Sequence, residues 1–335
     1  MALDLTEFQK THVYRAQDSS VPAVLADLEV VEQLDQQAEL TRRKLWIGAW
    51  VLLGCGIGSF ILLPFLMDAH PDGAWDVYGP LVSGVGVLDL VAAVVLFVVR
   101  ARRRRMDLDN RRYGLVATLL KRLQVDLDPD SPVSLTLDLA PNDDAHKRIQ
   151  QDTRGRWQRE VFKDAWLDLQ ARFADGTYLR LSMVEYLQKR SRTQRNARGK
   201  TKTKRKQKGK ALMQVALRVK PEQYPGLADL TAPARSAARL PPGIKLSRIR
   251  VARDRLVMRA LMAHDWVLLA PKAAPAKAPI DSPPPAAKGR GTRAPVGTAL
   301  KQDASQTATM MLLSLYQVLN FSSSLRKRGD AKATP

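Results

Sequence analysis

Hydrophobic and polar positions follow three different rhythms along this chain. Two stretches have no polar rhythm at all. Residues Trp46 to Met67 (WIGAWVLLGCGIGSFILLPFLM) carry no charge, and Val77 to Val99 (VYGPLVSGVGVLDLVAAVVLFVV) carry one, Asp89. Each is long enough to cross a hydrocarbon core of about 30 Å as a helix rising about 1.5 Å per residue. A soluble core helix rarely stays apolar on every face over such a length. The first stretch begins far from Met1 and lacks a short apolar region with a cleavage site, so it does not read as a signal peptide. The pattern predicts a two-helix transmembrane hairpin, 46–67 and 77–99.

A helical period precedes and follows the hairpin. Ser20 can cap a helix from about Val21, with Pro22 in its first turn. Val24, Leu28, Val31 and Ala38 make a near-heptad stripe, interrupted by Asp35. It suits a short coiled coil, hence a homodimer, or an amphipathic helix packed on the chain's own domain or on a membrane. Leu108 to Leu123 places Tyr113, Val116, Leu119, Leu120 and Leu123 on one helical face.

The period then changes to two. Val133–Leu139 alternates strictly, and so do stretches near 157–163, 166–173, 177–186, 212–220, 244–251 and 256–263. Seven short strands with short turns predict an antiparallel β-sandwich-like domain or a rolled sheet. One hairpin can be read in register. A three-residue loop, Ala174-Asp175-Gly176, pairs Ala171 with Leu179, Leu169 with Leu181 and Leu167 with Met183. The apolar residues then share one face, and Gly176 supplies a left-handed position. The fold expected is therefore an α+β membrane protein. It comprises an N-terminal helix (1–45), the transmembrane hairpin (46–99), a cytosolic β-rich domain with flanking helices (100–270), a Pro/Ala/Lys linker (271–303), a C-terminal docking helix (304–325) and a basic tail (326–335).

Charge adds orientation and a candidate surface. The chain has 54 Lys and Arg against 33 Asp and Glu, a net +21 over 335 residues. Most of the excess lies in two runs. Arg100–Arg105 holds five arginines. Lys189 to Lys210 holds twelve cations and no acid: Lys189, Arg190, Arg192, Arg195, Arg198, Lys200, Lys202, Lys204, Arg205, Lys206, Lys208 and Lys210. The remainder is nearly balanced, which disfavours a uniformly basic nucleic-acid-binding domain. Arg42, Arg43 and Lys44 precede the first span and the arginine run follows the second, whereas Asp68–Asp76 has three acids and no Lys or Arg. Positive-inside bias puts both termini in the cytoplasm of a multi-pass plasma-membrane protein. The Ala-, Arg- and Leu-rich composition fits a bacterial inner membrane.

The twelve-cation tract separates two predicted strands and alternates weakly over Thr201–Lys208, which suits a protruding basic hairpin around Asn196–Gly199; the alternative is a solvated loop. Anionic lipid headgroups are the nearest polyanion for a tethered domain. Nucleic acid comes second, because 189–210 has no aromatic residue for base stacking. An acidic protein partner comes third.

Chemistry is sparse elsewhere. One cysteine, Cys55, lies inside the first span, and four histidines are scattered. There is no P-loop, Gly-x-Ser-x-Gly elbow or His-Glu-x-x-His. Asp143, Asp144 and His146 read as a polar loop rather than a metal site, and His264-Asp265 as a dipeptide ending a strand. No metal or cofactor is expected. Asp89 falls near mid-membrane, where an ionisable group is a functional candidate. It can hydrogen-bond a first-span carbonyl or Ser59, or face a partner subunit. Gly54 and Gly58 supply a small-residue surface for close helix approach. The reading is a non-enzymatic membrane-anchored scaffold, adaptor or regulatory binding module. The alternatives are a subunit of a transport or secretion assembly and, third, an enzyme of unknown class.

Overall fold

A computed structural model describes residues 3–69, 75–103, 108–129, 131–195, 197–269 and 301–333. The chain forms two units, one from Met1–Asp27 with Arg111–Pro335, the other Leu28–Asn110. The predicted linker, 271–303, lies largely outside the described residues, whereas most of the predicted basic tail, 326–335, continues the C-terminal helix as far as Ala333.

The first unit begins with helix α1 (Leu5–Thr11). Asp4 caps it by accepting hydrogen bonds from the Thr6 and Glu7 amides, and His12 ends it in a left-handed conformation at φ 55°. Strand β1 (Val13–Ser19) follows, and then helix α2 (Val21–Ala69), which continues into the second unit. After helix α3 (Trp75–Arg103) comes α4 (Asn110–Leu123). The strands are β2 (Val133–Asp138), β3 (Arg148–Arg154), β4 (Trp157–Arg172), β5 (Tyr178–Arg195) and β6 (Thr201–Arg218). Helix α5 (Thr231–Ala237) precedes β7 (Lys245–Val251) and β8 (Arg255–Ala263), and α6 (Ala304–Ala333) closes the chain.

All eight strands belong to one antiparallel sheet, ordered β1-β2-β4-β5-β6-β8-β7, with β3 added beside β4. No second sheet faces it among the described residues, so the architecture is one sheet and a helical layer instead of a sandwich. Seven alternating segments do not say how many sheets they build; helices α4 and α6 supply the missing cover. Leu115, Val116 and Leu119 of α4 and Met311, Leu315 and Leu319 of α6 are buried, as are Leu181, Met183, Val215 and Met258 on the sheet. We call that covered face inner and the opposite one outer.

The hairpin between β4 and β5 takes the register that its apolar residues require. Ala171 pairs with Leu179, Leu169 with Leu181 and Leu167 with Met183, and Gly176 turns at φ +83°. The segments 157–163 and 166–173, by contrast, are one strand. The register of β4 shifts between Asp164 and Leu167, so Phe162 and Asp164 face inward before the shift and Leu167 and Leu169 after it. An extra residue at a bulge reverses the alternation, which makes one strand read as two.

In the second unit α2 and α3 run antiparallel. Two helices, within Val21–Leu62 and Gly79–Arg102, are long and apolar enough to cross a membrane. Their outward residues, among them Trp50, Ile61, Leu88 and Val94, are exposed. Contact centres on Gly56 and Gly86. A Cβ on Gly56 would lie 2.9 Å from Leu90 and 3.0 Å from the Gly86 carbonyl oxygen. Ala49 and Ala93 are buried, and Trp50 meets Phe97 edge-on at 6.0 Å.

Candidate functional site

The twelve-cation tract is a β-structure. Strands β5 and β6 pair continuously from Tyr178↔Arg218 to Arg195↔Thr201, so they run past the helix-covered body as an arm. Strand β4 flanks it from Gln158↔Ser191 inward, and β3 flanks β4. A solvated loop is thereby excluded for Lys189–Arg195 and Thr201–Lys210, and Gly199 turns the hairpin at φ +76°.

Strand alternation sorts the tract by face. Inner-face positions continue from Leu187 and Gly209 through Lys189, Arg205 and Arg195. Outer-face positions hold Arg190, Arg192, Lys202, Lys204, Lys206, Lys208 and Lys210. Arg198 and Lys200 belong to the turn. Neighbouring strands add Arg159 opposite Arg190, and Lys163 opposite Tyr186.

The outer face concentrates like charge. Arg190 stands directly across from Lys206, and Arg192 from Lys204. Like charges directly opposite on neighbouring strands destabilise a sheet. Arg190 and Arg192 donate to the neutral Gln188 and Gln194 at 2.9 and 2.7 Å. Trp157 of β4 lies under Arg192 and Lys206, 5.2 and 5.6 Å from its ring centroid, and offsets part of the repulsion through its π face. The acid on this face is Asp152 of β3. It accepts from Arg159 Nε at 2.7 Å, and the Arg159 guanidinium holds its carboxyl below the usual aspartate range. The inner face is milder: Lys189 pairs with Asp143, and Arg148 with Glu160 at 3.1 Å.

A second charged cluster lies where the arm leaves the body, and it is buried. Arg112 of α4 reaches Asp164 at 2.7 Å and Glu185 at 3.1 Å. Lys147 reaches Asp164 at 2.9 Å and Asp138 at 3.0 Å, and donates to the Ala140 carbonyl at 2.9 Å. Trp266 donates from Nε1 to Glu185 at 2.8 Å. Trp266 and Trp166 stack at 5.8 Å, with Arg112 over Trp166 and Arg111 over Trp266. Burial pushes the Asp164 carboxyl up, against the pull of Arg112 and Lys147. Two cations serve three acids, with Arg112, Lys147, Asp164 and Glu185 sealed and Asp138 partly exposed, and together they make a structural fastening.

The other sequence candidates are dispersed. Asp143 serves Lys189, and His146 lies 3.3 Å from Asp144 on the surface. His264 packs over Gly209, where a Cβ would meet it at 2.6 Å. Ser59 donates to the Cys55 carbonyl at 2.8 Å, one turn back in its own helix. It does not reach Asp89, which is half-buried on α3. Gly54 and Gly58 have open space where a Cβ would stand, so the close approach falls on Gly56 and Gly86 instead. Helical spacing explains this: Gly54 and Gly58 share a face that Gly56, two residues from each, does not.

Sequence reasoning missed Trp157, Arg159 and the buried fastening, because each depends on pairing across strands. The aromatic that 189–210 lacks is supplied by β4, already capped by two cations. No protein-family model, curated protein or solved structure matches the chain.

Proposed function

We propose that the chain is a non-enzymatic membrane-anchored adaptor whose cytosolic sheet domain docks on anionic lipid headgroups through the outer face of its arm. The observation that carries this reading is the one-sided charge: cations directly opposite cations at Arg190↔Lys206 and Arg192↔Lys204, on a face with almost no acid. Self-repulsion of this kind costs folding stability. A polyanionic surface turns it into binding, at about 1 kcal/mol per basic residue near an anionic leaflet. The capped Trp157 favours a flat layer of headgroups over stacked bases.

Anchoring is supported by a topological constraint. Strand β1 pairs with β2, joining Val13 to Asp138 and Ser19 to Val133. A bilayer cannot pass through a hydrogen-bonded sheet, so the crossings between Ser19 and Val133 are even in number. Two apolar helices in that interval satisfy this with a hairpin that leaves both flanks on one side. The flanking Arg42, Arg43, Lys44 and Arg100 mark that side as the cytoplasm of an inner membrane.

The test uses the full chain in nanodiscs of neutral lipid, mixed with separate vesicles. It should float with phosphatidylglycerol vesicles and not with phosphatidylcholine vesicles, and the association should fall in moderate salt. Equal flotation with both vesicles rejects the reading. A second reading, a subunit of a membrane assembly, draws on the open face at Gly54 and Gly58. It predicts that Asp89→Asn abolishes a partner crosslink while the protein still inserts.

A further inference from the structure

The edge of the arm is as unusual as its face. Strand β6 pairs with β8 from Arg218↔Arg255 to Lys210↔Ala263, and there the pairing stops. His264 turns away over Gly209, where the missing side chain gives it room. Beyond that point, among the described residues, Thr201–Lys208 has β5 on one side and no strand on the other. Eight residues therefore carry a row of outward backbone N–H and C=O groups in line with the lane that β8 vacates. Such an edge is a template for another strand.

The side chains along it decide which strand. Lys202, Lys204, Lys206 and Lys208 project to the outer face; Thr201, Thr203, Arg205 and Gln207 project to the inner one. No proline or bulge interrupts them, so the lysines are the guard. An incoming strand sets its own alternate residues directly beside these lysines, about 5 Å away. A second copy of the same edge would oppose lysine with lysine. The chain's own segment 270–300 holds a single acid, Asp281, and five Lys or Arg. A strand with carboxylates at every second position meets each lysine with an opposite charge.

We propose that the Thr201–Lys208 edge of β6 accepts an extended acidic segment of another protein, with Asp or Glu at alternate positions, as an added strand. Main-chain hydrogen bonds supply the docking and the lysine row supplies the selection. This goes beyond lipid docking and does not require it, because an edge can pair whatever the face binds. The two sites share lysines, so an added acidic strand also lowers the charge that the outer face offers to lipid.

The test measures the full chain in neutral-lipid nanodiscs against labelled synthetic peptides of about nine residues. One alternates Glu with Thr and Val; a second has the same composition with its Glu residues clustered. Two further copies of the alternating peptide are N-methylated at every second amide, one in each phase. The alternating peptide should bind about tenfold or more tightly than the clustered one. One methylation phase should abolish binding and the other should leave it intact, because only half of the amides face β6. Amides of Thr201–Lys208 should gain protection from hydrogen exchange. Equal binding by clustered and alternating peptides, or survival of binding in both methylation phases, means that charge alone acts and overturns the added strand. Vesicle flotation of the same nanodiscs reads the lipid site separately, so either proposal can fail alone.

Discussion

Strands β4, β5 and β6 run without interruption from the buried body of the sheet into the arm, and their two ends handle charge in opposite ways. In the body, Arg112 and Lys147 are enclosed with Asp164 and Glu185 beside the partly exposed Asp138, and every head group meets an opposite one within about a hydrogen-bond length. In the arm, a few residues further along the same strands, Arg190 and Lys206 face each other with no carboxylate between them. The difference follows from water. An unpaired ion costs several kcal/mol when buried, so every charge in the body has a partner; a solvated ion costs little, so the arm tolerates an excess. Folding enforces the first arrangement and only mildly opposes the second. The body's charges are therefore explained by stability, and the arm's are not.

The largest expected effect tests the arm. Replacing the seven outer-face cations of β5 and β6 with Gln should weaken vesicle binding by roughly 1 kcal/mol per charge, several orders of magnitude together. Replacing Lys189, Arg195 and Arg205 on the inner face should cost less than half as much per charge in the same vesicle titration. Equal losses per charge on the two faces would dissolve the distinction between them.

Next comes the body. Arg112→Met leaves Asp164 and Glu185 without their shared cation and should destabilise the protein by about 3–5 kcal/mol in denaturant unfolding followed by tryptophan fluorescence. Lys204→Met, at the other end of the same sheet, should stay within about 0.5 kcal/mol of the parent. Smaller still is the relief of repulsion. Arg190→Gln with Arg192→Gln should raise stability by about 0.2–1 kcal/mol per opposed pair, although it weakens vesicle binding. A fall in stability would show that these arginines are structural after all.

The smallest effect is a pH dependence. Asp152 has a folded pKa below its unfolded one, so its contribution to stability is present above the unfolded value and disappears as pH falls through the folded one. Arg159→Gln should move the Asp152 carboxyl titration, followed by NMR, back up toward the ordinary aspartate range. An unchanged midpoint would mean that Arg159 is not the cause.

What the sequence disclosed follows from how far each interaction reaches. The Gly176 hairpin was legible because two strands and their turn lie within one window, where only one register puts Leu167, Leu169, Leu179 and Leu181 on the same face. The basic hairpin was only half legible: its turn lies within one window, but the tract has no apolar face to choose between a hairpin and a solvated loop. Strand β1 was not: Tyr14 and Ala16 are its buried positions, and their partners Leu137 and Leu135 come more than a hundred residues later. The bulge in β4 hid a long strand behind a broken alternation. The charged fastening was hidden because Arg112 sits among the arginines near the second span and looks like one of them. Among the glycines, sequence favoured 54 and 58 by their spacing, whereas the face turned toward α3 selects 56.

The pairing of β1 with β2 also orders events during synthesis. Strand β1 leaves the ribosome first and has no partner until β2 is made. At bacterial or eukaryotic elongation rates that wait is roughly ten seconds. Both apolar helices are synthesised within it. The two apolar helices are therefore made before the sheet is complete, and β1 stays an unsatisfied edge throughout the delay. Its short length and the irregularity between Ala16 and Ser19 limit what it can pair with meanwhile. A fragment that starts after the hairpin never receives β1, so it exposes the flank of β2 permanently. Association of such a fragment through β2 would be a product of where the chain was cut.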